Sequence, residues 1–358
     1  MHVQEIYTYP IKSLRGVSVP SIAAKQAGFL YDRHFMLWDA EKSENMHIGL
    51  RSSLCLFTTR FTCMENPTEL EVHYGLNHTF DRPDKPIERS PLTVPLKPDI
   101  SGLKSVTVTM HFNSCTAYDM GQKYNEWFSD RVGYSVKLLY IGDYRRRILG
   151  NMGEGVKVHG NTWIYSTLTP VPMAIIIGYI ALRAETMRTT WHIVAIAAFV
   201  ISCILPFRQF QKLSGATKPG LTFADLAAYL VISNSSYDNV NSRLSGDEEL
   251  DITKFRANIV VSGAKDAFEE DFWGELQIGE DITMKLTQNC ARCSSLNVDY
   301  KTGKPGTTDA GKVLKILSKD RRVDPGTKWS PIFGRYGFIT SPSGDKPTMR
   351  ITVGDEVC

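Results

Sequence analysis

The chain has 358 residues, 42% of them hydrophobic and 22% charged, which excludes a disordered protein and leaves room for two ordinary domains. A formal net charge of +3 is too small to argue for a nucleic-acid partner, and none is expected. Seven cysteines, Cys55, Cys63, Cys115, Cys203, Cys290, Cys293 and Cys358, are odd in number and scattered, which argues against a secreted disulfide scaffold. No long apolar run opens the chain, so no secretory leader is expected and the main body is expected to face a reduced, cytoplasmic compartment.

The first third reads as β-rich. MHVQEIYTYPI alternates apolar and polar residues, and SVTVTMHF (105–112) does so strictly, the mark of a half-buried strand. QKYNEWFSDRVG (122–133) sets Tyr124, Trp127, Phe128 and Val132 at helical spacing, with Gly133 as a stop. The turn-forming stretch MENPTELEVHYGLNHTFDRPDKPIERSPL reads as a surface connection.

An apolar insertion follows. WIYSTLTPVPMAIIIGYIAL (163–182) is 20 residues long without a charge, and WHIVAIAAFVISCILPF (191–207) carries only His192. A bilayer needs about 20 apolar residues. Trp163 and Trp191 sit at segment ends, and YRRRILGN and FRQFQK flank the pair, so a membrane-anchoring helical hairpin with both ends cytoplasmic is expected. A buried or interfacial helical pair is the alternative reading.

The last third reads as a second compact unit. YLVISNSSYDNVNSRL is a strand then a helix, with Ser235 as N-cap and Asp238 three residues on. FRANIVVSG is a strand ending at Gly263, with Arg256 and Asn258 on one face. ELQIGEDITMKL is two strands around a turn, SPIFGRYGF sets Tyr336 in a glycine-flanked turn, and GFITSPSGDKPTMRITVGDEV reads as a closing hairpin. The expected fold is α+β and β-rich. It has an N-terminal β-barrel-like domain (1–140), a linker with the apolar hairpin (141–215) and a C-terminal β-barrel domain (216–358).

Cys290 and Cys293 form a Cys-x-Arg-Cys after a strand. There is no second cysteine pair or clustered histidine pair to complete a zinc site. A thioredoxin-like pair would open a helix in a βαβ unit, which the following SSLNVDYKTG does not resemble. Two readings stay open: one thiolate ligating a soft metal, or two buried structural cysteines. Lys12, Ser13 and Arg15 after the first strand, and Asp32 and Arg33 before another, suit a phosphate or polar heterocycle as well as they suit a solvated surface.

Taken in order, YPIKSLRGV, DRHFML, FRANIVVSG, EDFWGELQIG, NCARCSSLNVDYKTG, SPIFGRYGF and VGDEV resemble the MOSC-domain molybdenum-cofactor proteins. Specifically, the chain is similar to those of the amidoxime-reducing family, which carry an N-terminal MOSC β-barrel extension. The resemblance covers the chain outside about 145–215. It implies Cys293 as the molybdenum ligand and catalytic residue. It further implies Lys12, Ser13, Arg33, Asp225, Arg256, Ala291, Arg292 and Tyr336 as the residues around the molybdopterin cofactor (Moco). No role for Cys290 follows from it. The implied activity is that of a molybdenum-dependent oxidoreductase acting on small N-hydroxylated substrates such as amidoximes and hydroxylamines. Electrons would come from a b5-type cytochrome and a flavin NADH reductase, and anchoring would run through residues 163–207. The alternative is a Moco carrier or sulfur-handling protein, since related sulfurases pair a MOSC unit with a pyridoxal-phosphate domain.

Overall fold

The structure, a computed structural model, describes residues 1–75, 90–111, 113–148, 220–246, 248–340 and 349–358. All of them fall in one compact unit.

The central strands are apolar on both faces. Tyr229–Ser233 (YLVIS) is buried throughout, and Ile259–Ser262 (IVVS) nearly so, as strands inside a covered sheet must be. They run parallel to each other in a seven-stranded sheet. Its order is Glu275–Ile278, Ile282–Ala291, Ile332–Ile339, Tyr229–Ser233, Ile259–Ser262, His2–Thr8 and Val17–Ser18. The first strand of the chain thus pairs antiparallel with a strand far along the chain, His2 opposite Ser262, 260 residues later. Residues 355–358 close the figure. Val3 N bonds Asp355 O at 2.9 Å, while Gln277 and Cys358 exchange both backbone bonds at 3.0 Å, so the far edge strand is tied back to the first and the sheet rolls up.

Residues 35–140 build the second β layer. Lys104–Met110, Asn113–Asp119, Val136–Tyr140, Phe35–Asp39 and Glu44–Asn45 form a five-stranded sheet. The helix Gln122–Val132 packs beside Val136–Tyr140 and ends on Gly133 at φ 90, as its spacing predicts. Phe57–Phe61, Glu69–Tyr74 and Leu92–Pro95 make a three-stranded sheet. The two large sheets meet where Ile11 bridges Phe35, with Lys12 N donating to Phe35 O at 2.8 Å and Phe35 N to Pro10 O at 3.0 Å.

Several expectations change. Tyr336 lies within the Ile332–Ile339 strand rather than a turn, because flanking Gly334 and Gly337 fit under Ile232 and against Leu286. Arg256 is not a strand residue but ends a 3-10 helix, Ile252–Phe255, in the left-handed region. The second helix, Asn234–Asn241, is capped by Ser233, whose hydroxyl accepts from Ser236 N, rather than by Ser235. Arg350–Thr352 pairs with Ser21–Lys25 instead of closing a hairpin. The turn-rich connection after residue 63 contains the strand Glu69–Tyr74, with Leu70 and Val72 buried. Among the described residues no helix is long and apolar enough to cross a membrane. The apolar segments 163–182 and 191–207 lie outside those residues.

Gly334 is a tight point in the strand that carries Tyr336. Its φ is +77, and a Cβ there would stand 2.6 Å from the Ile232 side chain and 2.8 Å from Val231 O. Gly334→Ala should lower the unfolding free energy by about 2 kcal/mol, read as a shift of the urea midpoint at constant slope. An unmoved midpoint would show that the strand yields without cost.

Candidate active site

All nine predicted site residues, Lys12, Ser13, Arg33, Asp225, Arg256, Ala291, Arg292, Cys293 and Tyr336, line one pocket. They come from six stretches of chain, and the fold, not sequence proximity, assembles them.

The cationic side is built first. Arg33 donates through Nη1 to the buried Asp32 carboxylate and, at 3.0 Å, to Asn258 Oδ1. Its Nη2 reaches the Arg256 carbonyl at 3.3 Å. Asp32 also accepts from Tyr9 N at 2.8 Å, and Asn258 accepts from Leu230 N and donates to Tyr7 O, so one polar knot joins four segments. Arg33 and Arg256 both lie over the Tyr9 ring, 4.6 and 4.4 Å from its centroid. Tyr9 is buried and its hydroxyl donates to Ala257 O at 3.1 Å, so burial pushes its pKa up and the ring stays neutral. Arg15 lies outside this lining and pairs with Asp251 at 2.9 Å.

Lys12 is buried with its ammonium against Asp225. Burial lowers the lysine pKa, and the aspartate opposes that. Desolvation would raise the Asp225 carboxyl, yet Lys12 and a hydrogen bond from His111 hold it well below the usual carboxylate range. His111 Nε2 stands 3.0 Å from Asp225 Oδ1, reaching in from just past the Lys104–Met110 strand of the other sheet. The Asp225 loop is fixed from behind by fully buried Arg146, which donates to the carbonyls of Thr222, Ala224 and Asp225.

The sulfur side follows the strand Ile282–Ala291. Cys290 is buried at its end, while Cys293 is exposed, with Sγ 3.1 Å from Ser295 Oγ. Arg292 turns inward between them. Its Nη1 donates to Cys290 Sγ at 3.1 Å, its Nη2 to Phe255 O at 2.8 Å, and its backbone N to Pro331 O at 2.8 Å. Its Nε is buried without a partner among the described residues. Burial raises the Tyr336 pKa well above that of a free phenol, and the Cys290 thiol, in hydrogen-bond contact, adds to it. The two cysteines therefore differ in kind: one is packed under arginine and tyrosine, the other is presented to the pocket.

The lining carries four cations, Lys12, Arg33, Arg256 and Arg292, against one carboxylate, Asp225. Among the described residues no group of three or more His, Cys, Asp or Glu side chains could hold a metal ion, and Cys293 is the exposed soft ligand the pocket offers. Among the described residues, three of the seven non-glycine positions at positive φ, Ser13, Arg33 and Arg256, line this pocket, and His111 is a fourth that reaches Asp225. Strained backbone collected at one cavity marks a functional site.

The MOSC N-terminal beta barrel domain family matches residues 1–135 and the MOSC domain family residues 218–358. The chain carries both MOSC-type domains. "Mitochondrial amidoxime-reducing component 1" of Homo sapiens is 35% identical over 144 residues, 39% of each chain. "Mitochondrial amidoxime reducing component 2" of Rattus norvegicus is 39% identical over 141 residues, 38% of each. "Molybdenum cofactor sulfurase" of Bos taurus is 36% identical over 374 aligned positions, 99% of this MOSC chain but 32% of that protein. The MOSC chain thus spans less than half the length of these relatives.

The family resemblance placed none of Asp32, Asn258, His111 and Ser295 in the site of this MOSC protein, although Asp32 beside Arg33 already suited a polar ligand. Asp32 adjoins Arg33 in DRHFML and Asn258 lies two residues past Arg256, so both were legible as neighbours. His111 carried no signal, being 114 residues from its partner. Because Asp32 neutralises a nearly buried guanidinium, Asp32→Ala should cost about 3 kcal/mol of stability. A loss below about 1 kcal/mol in a denaturant titration would show that Arg33 finds another partner.

Proposed function

We propose that this chain binds a molybdenum cofactor in the pocket and reduces small N-hydroxylated compounds, amidoximes and hydroxylamines among them. The electrons come from a b5-type cytochrome reduced in turn by a flavin NADH reductase. The observation that carries the reading is an exposed Cys293 thiol beside a lining of four cations and one carboxylate. The donor set fits the group. A soft thiolate suits molybdenum, and the cations suit an anionic phosphate, to which Lys12, Arg33 and Arg256 offer charge-assisted hydrogen bonds. The partnerless Arg292 Nε is a further buried donor beside Cys293.

When bound, the cofactor supplies the two-electron oxygen-atom chemistry that removes oxygen from an N–OH group. The protein's own share is placement. Arg292 anchors the arm that carries Cys293 through its bonds to Cys290, Phe255 and Pro331. Tyr336, kept protonated by burial, acts there as a fixed hydrogen-bonding group rather than a titrating acid. Asp225 holds Lys12 and His111 at the pocket, and its low pKa keeps it ionised at neutral pH.

A second reading, a cofactor carrier or sulfur-handling protein, draws on the sulfurase relative, whose similarity runs along 99% of this chain. Turnover of benzamidoxime separates the two. On the reductase reading, Cys293→Ser abolishes turnover, because a neutral hydroxyl ligates this metal poorly, while Cys290→Ser keeps a substantial rate. Equal loss in both variants would point to a dithiol mechanism, and an inactive cofactor-loaded wild type to the carrier.

A further inference from the structure

A loop beside the pocket turns its large apolar side chains to solvent. Residues 322–331 leave and rejoin the barrel at one point, where Ile332 N bonds Arg321 O at 2.9 Å. The loop is fastened to the Cys-x-Arg-Cys segment twice: Arg292 N donates to Pro331 O at 2.8 Å, and Asn289 Nδ2 to Asp324 Oδ2 at 3.1 Å. Yet Trp329 is 80% exposed and Val323 56%. At the loop's base Arg321 pairs with the Asp271 carboxylate, and the next residue, Phe272, is 86% exposed.

The charged side chains that the loop turns fully to solvent are both basic. Asp324 is occupied inward, accepting from Asn289 and from Gly326 N, whereas Arg322 and Lys328 face solvent. Lys328 Nζ lies 5.3 Å from the Trp329 ring centroid. Large aromatics beside arginine are enriched at docking surfaces, and the positive charge of Arg322 and Lys328 selects an acidic partner. The connection to the pocket is short: from Trp329 along two residues to the Pro331 carbonyl, across one hydrogen bond to Arg292 N, and on to Cys293.

We infer that the loop 322–331, with Phe272 beside its base, is the surface on which an acidic one-electron donor protein docks. The inference rests on the reductase reading above. Each encounter oxidises the donor by one electron. Two encounters, with two protons from solvent, supply what the conversion of one N–OH to N–H and water consumes. The contact is of the small, transient kind usual for electron transfer, in which charge governs encounter.

The test compares two electron sources on the full, cofactor-loaded chain: a reduced b5-type cytochrome, and reduced methyl viologen, which needs no docking surface. Trp329→Ser and the double change Arg322→Glu with Lys328→Glu should each lower cytochrome-driven kcat/KM about tenfold, with the charge-reversed variant losing its salt dependence. Viologen-driven benzamidoxime reduction should stay at the wild-type rate in both. Unchanged cytochrome kinetics would overturn the docking surface while leaving the reductase intact, as would an equal fall with both donors, which would mark the loop as a support of the pocket. The same holds if these changes abolish vesicle binding or self-association and spare cytochrome kinetics. A wild type inactive even with viologen would remove the reductase reading and the docking surface with it.

Discussion

The Arg33 guanidinium is the constraint on which the rest of the site depends. A charge taken from water must find a countercharge and fill its remaining donor positions, or the fold loses several kcal/mol. Arg33 does so with Asp32, Asn258 and the Arg256 carbonyl, and each of these also holds something else. Asp32 fixes the Tyr9 amide, and Asn258 fixes Leu230 and Tyr7. The residues just before Lys12, those from Arg256 to Asn258 and the strand after Asp225 are thereby set against each other. Two sheets distant in sequence can share one pocket because this knot is satisfied only when they meet.

That arrangement concentrates positive charge and leaves it underpaired at the pocket. Lys12 and Arg256 carry charge into the lining, three lining residues hold positive φ, and one buried donor of Arg292 has no partner among the described residues. These are costs a purely structural core would shed. An anionic ligand offsets them, which ties the electrostatics to the exposed Cys293 beside them. Burying Cys290 under Arg292 and Tyr336 keeps the neighbouring sulfur out of that chemistry and stiffens the turn that presents Cys293.

Much of this was legible in the sequence where the signal is local. The helix at Gln122–Val132, the strand before the cysteines and the two strands around Gly279 follow from spacing and turn chemistry. The site residues were legible as motifs after strands, although nothing local says that Lys12 and Cys293 share a cavity. What was not legible is long-range. That His2–Thr8 completes a barrel with Ile259–Ser262 and residues 355–358 depends on pairings such as His2 with Ser262, 260 residues apart. Arg256 looked like a strand residue because FRANIVV is β-rich, but the strand begins only at Ile259. Tyr336 looked like a turn residue because glycine flanks it, where the glycines instead admit neighbouring side chains within the sheet.

The central claim is that Cys293 and the surrounding cations hold a molybdenum cofactor. The most direct measurement is molybdenum and pterin assayed together on the chain purified from a host that makes the cofactor. The account predicts about one of each per chain, with sulfur from Cys293 in the metal's X-ray absorption shell that Cys293→Ser removes. A chain that purifies folded, with neither metal nor pterin above background, would contradict it.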